Sequence, residues 1–495
     1  MPLRADMMAD LCRIAPELIL CVFGILLVAL EPFVPSSSKR ALGWLAFSGS
    51  LVAIASLWIV ARHPGPAYGG LIQVDNFSLF FHGIILGSVA VVILGSINYL
   101  CEERLQRGEY YALVLFAAAG MGVLAGAGEL ITSFLGLEMS SISTYILAAF
   151  RRDVRKSNES ALKYFILGSF ATAFFLYGIA MTYGATGTTR FTGIAQALSI
   201  SGPTLLAVLG LGMMLVGLGF KVVIAPFQIY APDVYEGAPT PVTALLASAP
   251  KAAAFALMLR IFYVAFGPVQ HIWFWAIWIS AVLTMCAGNF AALLQTNVKR
   301  MLAYSSIAHA GYILVAFAAS TELGIAAVLF YLAAHALMKI GAFTVITHVG
   351  GRGERHLELS DYAGLAKKQP AIAACFTLFL LSLLGLPATG GFMGKFYAFQ
   401  AGLDSRIIWL VVIAALNSIV GAYYYLRVIL TMYFREPAGE SGPDAGLGSE
   451  IEWMPQPVAA SIWVVLIIAA LGTLYLGIFP SRVMEFALRS AASLR

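Results

Sequence analysis

The sequence predicts an all-α integral membrane protein of about fourteen transmembrane helices. Of its 495 residues, 60% are hydrophobic and 11% are charged, whereas soluble domains carry about 25% charged residues. Apolar runs long enough to cross a hydrocarbon core about 30 Å thick follow one another along the chain, and no polar stretch between them is long enough for a soluble domain. We therefore expect residues 1–495 to form a single membrane domain.

Fourteen apolar runs are predicted to span the membrane. We number them as spans 1 to 14, with approximate bounds 15–34, 42–61, 77–99, 110–128, 130–150, 161–184, 204–225, 241–266, 272–295, 301–320, 323–347, 371–402, 407–433 and 457–479. The first run lacks a small-residue cleavage site and is expected to be a retained helix. Loops on one side carry fifteen Lys and Arg and those on the other carry eight, so the positive-inside rule predicts both termini on the periplasmic side.

Basic residues inside the spans indicate an internal repeat. The cations of the first half recur in the second half at offsets of 176, 174 and 176 residues, pairing Lys163 with Lys339, Lys221 with Lys395, and Lys251 with Arg427. Each pair lies five spans apart, and an odd number reverses the direction of crossing, which predicts inverted repeats. The predicted units are 1–109 (spans 1–3), 110–266 (spans 4–8, the first repeat), 272–433 (spans 9–13, the second repeat) and 457–479 (span 14).

Spans 7 and 12 are predicted to be broken. Pro226 follows Lys221 by five residues, and Pro387 and Gly390 come shortly before Lys395. Proline and glycine interrupt helices and free backbone polar groups. Transporters built from inverted repeats place their ion sites at such interruptions, so both lysines are expected to lie in functional positions.

Ionisable side chains inside the spans are the candidate functional residues. A charge at the centre of a spanning helix costs about 2.5–3.5 kcal/mol on insertion scales, so it is mostly retained for function. The candidates for proton translocation are Glu138, Lys163, Lys221, Lys251, His309 and Lys395, with His335 and Lys339 as additional candidates. For each of them the alternative is a structural role in helix packing. Arg427 is assigned a structural role because guanidinium hardly deprotonates, and Glu129 is expected in a solvated loop.

A lysine beside a carboxylate forms a charge switch inside the membrane. Desolvation favours the neutral amine and a nearby carboxylate favours the ammonium form, so shifting the influence of the carboxylate discharges the lysine. Glu138 stands among apolar and hydroxyl residues, and we expect a lysine as its partner. Moving one charge against the membrane potential takes about 2.3 kcal/mol per 100 mV, so an external reaction must drive the process.

Several classes of site are not expected in this chain. No GxGxxG or Walker sequence accompanies its glycines. Its five cysteines lie far apart without metal-ligand spacing, which disfavours iron–sulfur and zinc sites. No basic stripe interleaved with aromatics suggests nucleic acid. The sequence therefore predicts neither a cofactor nor a metal in this chain.

Five strings carry a close resemblance to a known family. FLGLEMSSISTYILAAF, ALKYFILGSF, GFKVVIAPFQIYAPDVYEGAPTPVTALLASAPKAAAF, KRMLAYSSIAHAGY and LLGLPATGGFMGKFYAF resemble the antiporter-like membrane subunits of respiratory complex I (NADH:quinone oxidoreductase), and the resemblance covers nearly the whole chain. It implies a coupled pair of Glu138 and Lys221, with Lys163 as its neighbour, Lys251 as the bridging group, His309 between them and Lys395 as the terminal lysine.

Two features resemble the N-subunit branch of that family. Lysine stands at position 395, where M subunits tend to carry glutamate, and no long lateral helix follows span 14, as one does in L subunits. One feature departs from the family, because Gln228 occupies the place of the histidine in its usual PFHxW motif. No histidine role is therefore expected at that point.

The resemblance implies a proton-translocating subunit whose redox chemistry lies elsewhere. NADH, FMN, iron–sulfur clusters and quinone are then expected in partner subunits. The expected partners are an antiporter-like neighbour and small helical membrane subunits in the lipid bilayer of a bacterial inner membrane, with no nucleic acid. The alternatives are a subunit of a multi-subunit cation/proton antiporter and a non-catalytic membrane scaffold.

Overall fold

The computed structural model describes residues 2–35, 38–436 and 457–494, and these are mostly helical. The helices are α1 (Pro2–Arg13), α2 (Ala15–Leu30), α3 (Arg40–Val60), α4 (Asn76–Glu102), α5 (Gly108–Gly126), α6 (Leu130–Ala148), α7 (Arg155–Thr186), α8 (Phe191–Ser201), α9 (Leu205–Val222), α10 (Ala231–Gly237), α11 (Thr240–Leu246), α12 (Ala249–Leu259), α13 (Gln270–Leu293), α14 (Val298–Ala319), α15 (Glu322–Gly350), α16 (Leu365–Lys368), α17 (Pro370–Leu384), α18 (Gly390–Asp404), α19 (Ile408–Phe434), α20 (Ala460–Ile478) and α21 (Ser481–Leu494). Between α3 and α4, strands β1 (Gly65–Ala67) and β2 (Ile72–Val74) form a short antiparallel hairpin.

The predicted all-α membrane fold is confirmed. Within the described ranges, thirteen helical segments are long and apolar enough to cross a membrane. The predicted span 371–402 is divided into α17 and α18, and α17 is apolar but shorter than a full crossing. The predicted boundary between 109 and 110 falls in the first turn of α5, and the predicted gap 267–271 covers the connection before α13 and its first two residues, whereas 437–456 lies outside the described residues. The division into repeats stays a prediction.

Three interruptions divide the helices that carry the candidate lysines. After α9, Val223 takes a left-handed conformation with φ of 65°, and a 3-10 turn, Phe227–Tyr230, leads into α10. After α17, Gly385 is left-handed with φ of 100°. The third interruption was not predicted: Ser248, with φ of −119° and ψ of −87°, separates α11 from α12. Lys221 lies near the interruption at Val223, Lys395 near that at Gly385, and Lys251 near that at Ser248.

The core of the molecule surrounds α14. Of the residues in the most apolar 18-residue stretch of α14, 94% are buried, and in the corresponding stretch of α15, 83% are buried. Such burial is typical of a helix that is apolar on all sides. Helix α13 approaches α14 closely at Gly288, where an added Cβ would lie 2.5 Å from the backbone nitrogen of Ala308. A larger residue at this position would force the two helices apart. Segment Thr240–Ala265 is also 94% buried, so this segment, α14 and α15 are the most enclosed of the described spanning segments.

Candidate functional site

Lys221 lies in the last turn of α9, within a cage of aromatic rings. Its Nζ donates a hydrogen bond to Tyr145 Oη at 3.2 Å. The ring centroids of Tyr145, Tyr164 and Phe220 lie 4.9, 5.6 and 5.7 Å from Nζ. Rings at these distances attract an ammonium group. The protonated form of Lys221 is therefore stabilised by π-faces and one hydroxyl.

Glu138 lies on α6, seven residues and so about two turns before Tyr145. Its Oε1 is buried and accepts no hydrogen bond from any described group. Its charge acts through space on both Tyr145 and Lys221. Among the described residues no ion pair shorter than 4 Å joins Glu138 to a lysine. Glu138 thus acts on Lys221 through space, and the group that contacts Lys221 is Tyr145, which was not among the predicted residues.

Lys163 lies in an ionic network at one end of the molecule. Its Nζ is 2.8 Å from Asp233 Oδ2 on α10 and 2.9 Å from Glu159 Oε1 on its own helix. Arg300, at the start of α14, pairs with the other oxygen of Asp233 at 2.8 Å. The Lys163 side chain is 43% exposed. It is therefore paired with these carboxylates and makes no ion pair with Glu138.

Three buried lysines share one pattern of hydrogen bonding. Lys251 Nζ, on α12, donates to the backbone oxygen and to Oγ of Ser306, both at 2.7 Å. Lys339 Nζ, on α15, donates to the Leu302 oxygen and to Ser305 Oγ, both at 2.8 Å. Each lysine thus contacts one carbonyl and one serine hydroxyl. No carboxylate among the described residues lies within 4 Å of either amine.

Lys395 repeats this pattern in α18. Its Nζ donates to the Leu384 oxygen at 2.8 Å and to Ser418 Oγ at 2.7 Å, and lies 4.9 Å from the Tyr312 ring centroid. Leu384 is the last residue of α17, so the interruption supplies a carbonyl that no longer accepts an intrahelical bond. This is the predicted use of a helix break beside a lysine. At Lys221, by contrast, the hydrogen-bond partner is a tyrosine hydroxyl.

The pattern of one carbonyl and one hydroxyl has a chemical consequence. An ammonium group offers three N–H donors, and a neutral amine offers two. Two acceptors therefore pair both N–H groups of the neutral amine and leave one N–H of the ammonium unpaired. A buried charge without a counter-ion is costly, whereas the loss of the proton leaves neither acceptor unsatisfied. Each of the three sites is thus suited to a lysine that changes its charge.

His309, on α14, is hydrogen-bonded to one tyrosine on α15 and one on α19. Its Nδ1 lies 2.8 Å from Tyr331 Oη and its Nε2 lies 3.2 Å from Tyr425 Oη. Tyr425 Oη is also hydrogen-bonded to Ser305 Oγ, which accepts from Lys339. A continuous hydrogen-bonded path therefore runs from Lys339 through Ser305, Tyr425 and His309 to Tyr331.

His335 lies beside this path, on the same helix as Lys339. The ring centroids of His309 and His335 are 5.3 Å apart. The Nε2 atom of His335 is buried and has no hydrogen-bond partner among the described residues. Both additional candidates from the sequence, His335 and Lys339, thus lie with His309 in one buried cluster.

The sequence analysis missed the acceptors of this cluster. Ser305 and Ser306 precede His309 by four and three residues on α14, which places them near it on the helix surface. Tyr425 stands in a run of three tyrosines just before Arg427 and was not among the predicted residues. Hydroxyl residues at helical spacing from a buried histidine are the signal that could have identified them.

One charged residue differs from the sequence-based expectation, and another carried no expectation. Glu129, expected in a solvated loop, is 8% exposed and caps α6, accepting from Thr132 N at 3.0 Å. The solvated-loop prediction was wrong because an orphan N–H group at the helix start recruits the carboxylate. Arg260, which the sequence analysis did not consider, is buried, and its Nη2 lies 2.9 Å from both oxygens of Asp75.

A carboxylate outside the spans joins several helix ends. Glu354, in the loop after α15, lies 2.9 Å from Lys299 Nζ and 3.4 Å from Arg151 Nη1. Its Oε1 accepts from Tyr99 Oη at 2.8 Å and from Thr240 N at 2.7 Å. Burial alone would raise the pKa of Glu354, but the charges of Lys299 and Arg151 hold that pKa below its ordinary value. This carboxylate fastens the ends of α4, α11, α14 and α15 to one another.

Comparison with known proteins identifies the family. Residues 127–421 match the family described as NADH:quinone oxidoreductase/Mrp antiporter, transmembrane. The chain is 49% identical to NADH-quinone oxidoreductase subunit N 1 of Solibacter usitatus, over 98% of both chains. A chain of respiratory complex I from Thermus thermophilus is 35% identical, with a TM-score of 0.79 over 95% of this chain and 98% of that one.

A chain of the Mrp complex from Dietzia sp. has the same fold at 21% identity, with a TM-score of 0.85 over 97% of both chains. The identity is thus far higher to the curated subunit N relative than to the Mrp chain. The protein belongs to the family of antiporter-like membrane subunits of NADH:quinone oxidoreductase and Mrp antiporters, in its branch of NADH-quinone oxidoreductase N subunits.

Proposed function

We propose that this chain is a proton-translocating membrane subunit of a bacterial NADH:quinone oxidoreductase. The relatives that cover nearly its whole length bear the name of subunit N of that enzyme. The observation that carries the proposal is the hydrogen bonding of Lys251, Lys339 and Lys395, each to one carbonyl and one serine hydroxyl. These sites accommodate the loss of a proton without leaving an acceptor unsatisfied.

The path begins at the pair of Glu138 and Lys221. With Glu138 ionised, its charge and the surrounding rings favour the ammonium form of Lys221. When the influence of Glu138 is withdrawn, Lys221 has one hydroxyl acceptor and its proton is released toward the interior. The hydroxyl of Tyr145 accepts from Lys221, and the charge of Glu138 also acts on it, so Tyr145 transmits the change.

The second part of the path leads through α14. Lys251 carries a proton at Nζ, which donates a hydrogen bond to Ser306. The preceding residue in the chain, Ser305, belongs to the path from Lys339 to His309. His309 has two ring nitrogens in contact with tyrosine hydroxyls, so it passes a proton by taking one at one nitrogen and releasing one at the other. Lys395 is the terminal site, as the family resemblance implies.

Lys163 has a positioning role in this proposal. It is paired with Asp233, which Arg300 also contacts at the start of α14. A change in the charge of Lys163 therefore acts on the end of the helix that carries Ser305, Ser306 and His309.

The driving reaction takes place in partner subunits. We place NADH, FMN, the iron–sulfur clusters and quinone there, with an antiporter-like neighbour and small helical subunits beside this chain in the inner membrane. Both termini are assigned to the periplasmic side, and spans 4–8 and 9–13 to two inverted repeats. The broken helices near Lys221 and Lys395 support that assignment.

Substitution of Lys221 in the assembled enzyme tests the proposal. Lys221→Ala should lower the number of protons pumped per NADH oxidised in vesicles, while assembly of the complex is confirmed by its subunit content. Lys367→Ala, at an exposed position of α16, is the matched control and should pump normally. Pumping at unchanged stoichiometry in assembled Lys221→Ala enzyme would refute the role of Lys221.

The antiporter alternative is supported by the shared fold of the Mrp chain. Purification of the native membrane complex discriminates between the two functions. Co-purifying flavin and iron–sulfur proteins support the oxidoreductase, whereas a complex of membrane subunits alone supports the antiporter. A scaffold role predicts that substitutions at Glu138, Lys221 and Lys395 change assembly but leave pumping per assembled complex unchanged.

A further inference from the structure

A buried acid–base pair lies outside the proton path described above. Glu17 is in the first turn of α2, and His82 is in the second turn of α4. His82 Nε2 is 2.7 Å from Glu17 Oε1, and His82 Nδ1 is 2.6 Å from the backbone oxygen of Ser78. The His82 side chain is 10% exposed and that of Glu17 12%. None of the candidate lysines belongs to this pair.

The donors and acceptors of this pair imply an additional proton. The Ser78 carbonyl only accepts, so Nδ1 of His82 must carry a hydrogen. In a neutral ring Nε2 would then be an acceptor, facing a carboxylate oxygen that is also an acceptor. The distance of 2.7 Å between them is that of a charge-assisted hydrogen bond. A proton must therefore lie between Nε2 and Oε1.

The ring of His82 is the better place for this proton. Unperturbed histidine has a pKa of about 6.5 and glutamate one of about 4.3, so the imidazole is the stronger base. As imidazolium, His82 donates from both nitrogens, to Ser78 and to Glu17. Glu17 then balances the charge of the ring, and its other oxygen, Oε2, is buried without a partner among the described residues.

The surroundings of the pair are tight and contain few other charges. From α5, Gly122 faces both groups, and a Cβ there would lie 2.5 Å from Glu17 Oε1 and 3.1 Å from His82 Nε2. The charged groups that act on His82 are Glu17 and Asp75, and Asp75 is paired with Arg260. On α2, Cys21 lies one turn beyond Glu17.

We propose that Glu17 and His82 form a proton-binding site that holds one proton at neutral pH and thereby fastens α2 to α4. The site lies six residues into α4, about 9 Å along the helix from its start, and Glu17 likewise lies near the start of α2. Gly122 lets the pair lie directly against α5. Loss of the proton replaces the ion pair with two facing acceptors and releases α2.

The sign of the pH dependence follows from proton counting. Above about pH 6.5 an ordinary histidine in the unfolded chain is neutral, whereas the folded chain still holds the proton. The folded state thus binds one proton more than the unfolded state, so the stability from this pair is present below about pH 6.5 and is lost as the pH rises further. The folding equilibrium constant attributable to this pair should fall up to about tenfold per pH unit in that range.

The experiment compares the pH dependence of thermal unfolding in lipid nanodiscs for the full chain and three variants. Between pH 6.5 and 9, the midpoint of the unaltered chain should fall more steeply than that of His82→Gln or Glu17→Gln. His271→Gln, at an exposed histidine, is the control and should keep the steeper slope. Equal slopes in the unaltered chain and both pair variants would overturn the proposal.

A second measurement does not depend on the variants' folding. The chain contains seven histidines, and ¹⁵N NMR of the labelled, unaltered chain distinguishes imidazolium from neutral rings. As the pH is raised, one ring should keep its imidazolium signal to a higher pH than an exposed histidine does. A spectrum in which every ring becomes neutral over the same pH range would contradict the assignment of the proton to His82.

Discussion

Replacing Glu354 by glutamine removes the only negative charge within 4 Å of Lys299, counted over the described residues. The Lys299 side chain is fully buried and keeps one other contact, the Ala238 oxygen at 2.6 Å. Removing one partner of a buried ion pair costs about 3–5 kcal/mol because the other charge stays buried without compensation. Glutamine retains an amide oxygen for Tyr99 and Thr240, so the loss should come mainly from the ion pair. We expect Glu354→Gln to destabilise the chain by about 3 kcal/mol, the lower end of that range.

The effect of this substitution should depend on pH. The charges of Lys299 and Arg151 hold the pKa of Glu354 below its ordinary value despite burial. The carboxylate therefore contributes its stability above the unfolded pKa of about 4.3, and the contribution is lost as the pH falls through the lower folded pKa. The difference in stability between the unaltered chain and Glu354→Gln should be constant near neutral pH and shrink below about pH 4.3.

The assay is thermal unfolding of the purified chain in lipid nanodiscs at pH 7.5 and at a series of acidic pH values. Glu322→Gln is the matched control, since Glu322 is exposed at the start of α15, and it should change stability by less than about 1 kcal/mol. A Glu354→Gln chain as stable as the control at pH 7.5 would refute the reasoning, as would a stability difference that grows on acidification.

Two other substitutions test the packing and the hydrogen-bonded path. Tyr425→Phe removes the hydroxyl between Ser305 and His309, so it should lower the free energy of unfolding by about 1–3 kcal/mol and reduce proton pumping. The control Tyr423→Phe, at an exposed tyrosine, should change neither stability nor pumping. Equal pumping by the two variants would contradict the path. Gly288→Ala should lower the midpoint of thermal unfolding because the added Cβ would lie 2.5 Å from the α14 backbone. The control Gly83→Ala, with open space around the added Cβ, should leave the midpoint unchanged. Equal midpoints of the two variants would show that the close packing of α13 on α14 does not require glycine.

The intramembrane cations were predictable from sequence because a charge within an apolar run is visible without knowing the fold. Lys251, Lys339 and Lys395 are all buried in the structure. The breaks near Lys221 and Lys395 were predictable for the same reason, since proline or glycine marks each of them. The break at Ser248 was not predicted, although Pro250 stands two residues further on, in the first turn of α12.

The partners of these residues could not be read from the sequence. Lys163 pairs with Asp233, seventy residues further along the chain, and no local pattern indicates such a contact. Serine and tyrosine are common in membrane helices, so Ser306 and Tyr425 became notable only once the fold placed them beside a lysine and a histidine. Glu129 was misassigned because it falls between two spans, where a cap and a solvated loop have the same sequence signature.

The central claim is that buried lysines with two neutral acceptors carry protons through this chain. The most direct test is the ratio of protons pumped to NADH oxidised by the assembled enzyme in vesicles with Lys251→Met, which keeps the length of the side chain but has no ionisable group. This ratio should be lower than in the enzyme with Lys367→Met, at comparable assembly. An unchanged ratio in assembled Lys251→Met enzyme would contradict the claim.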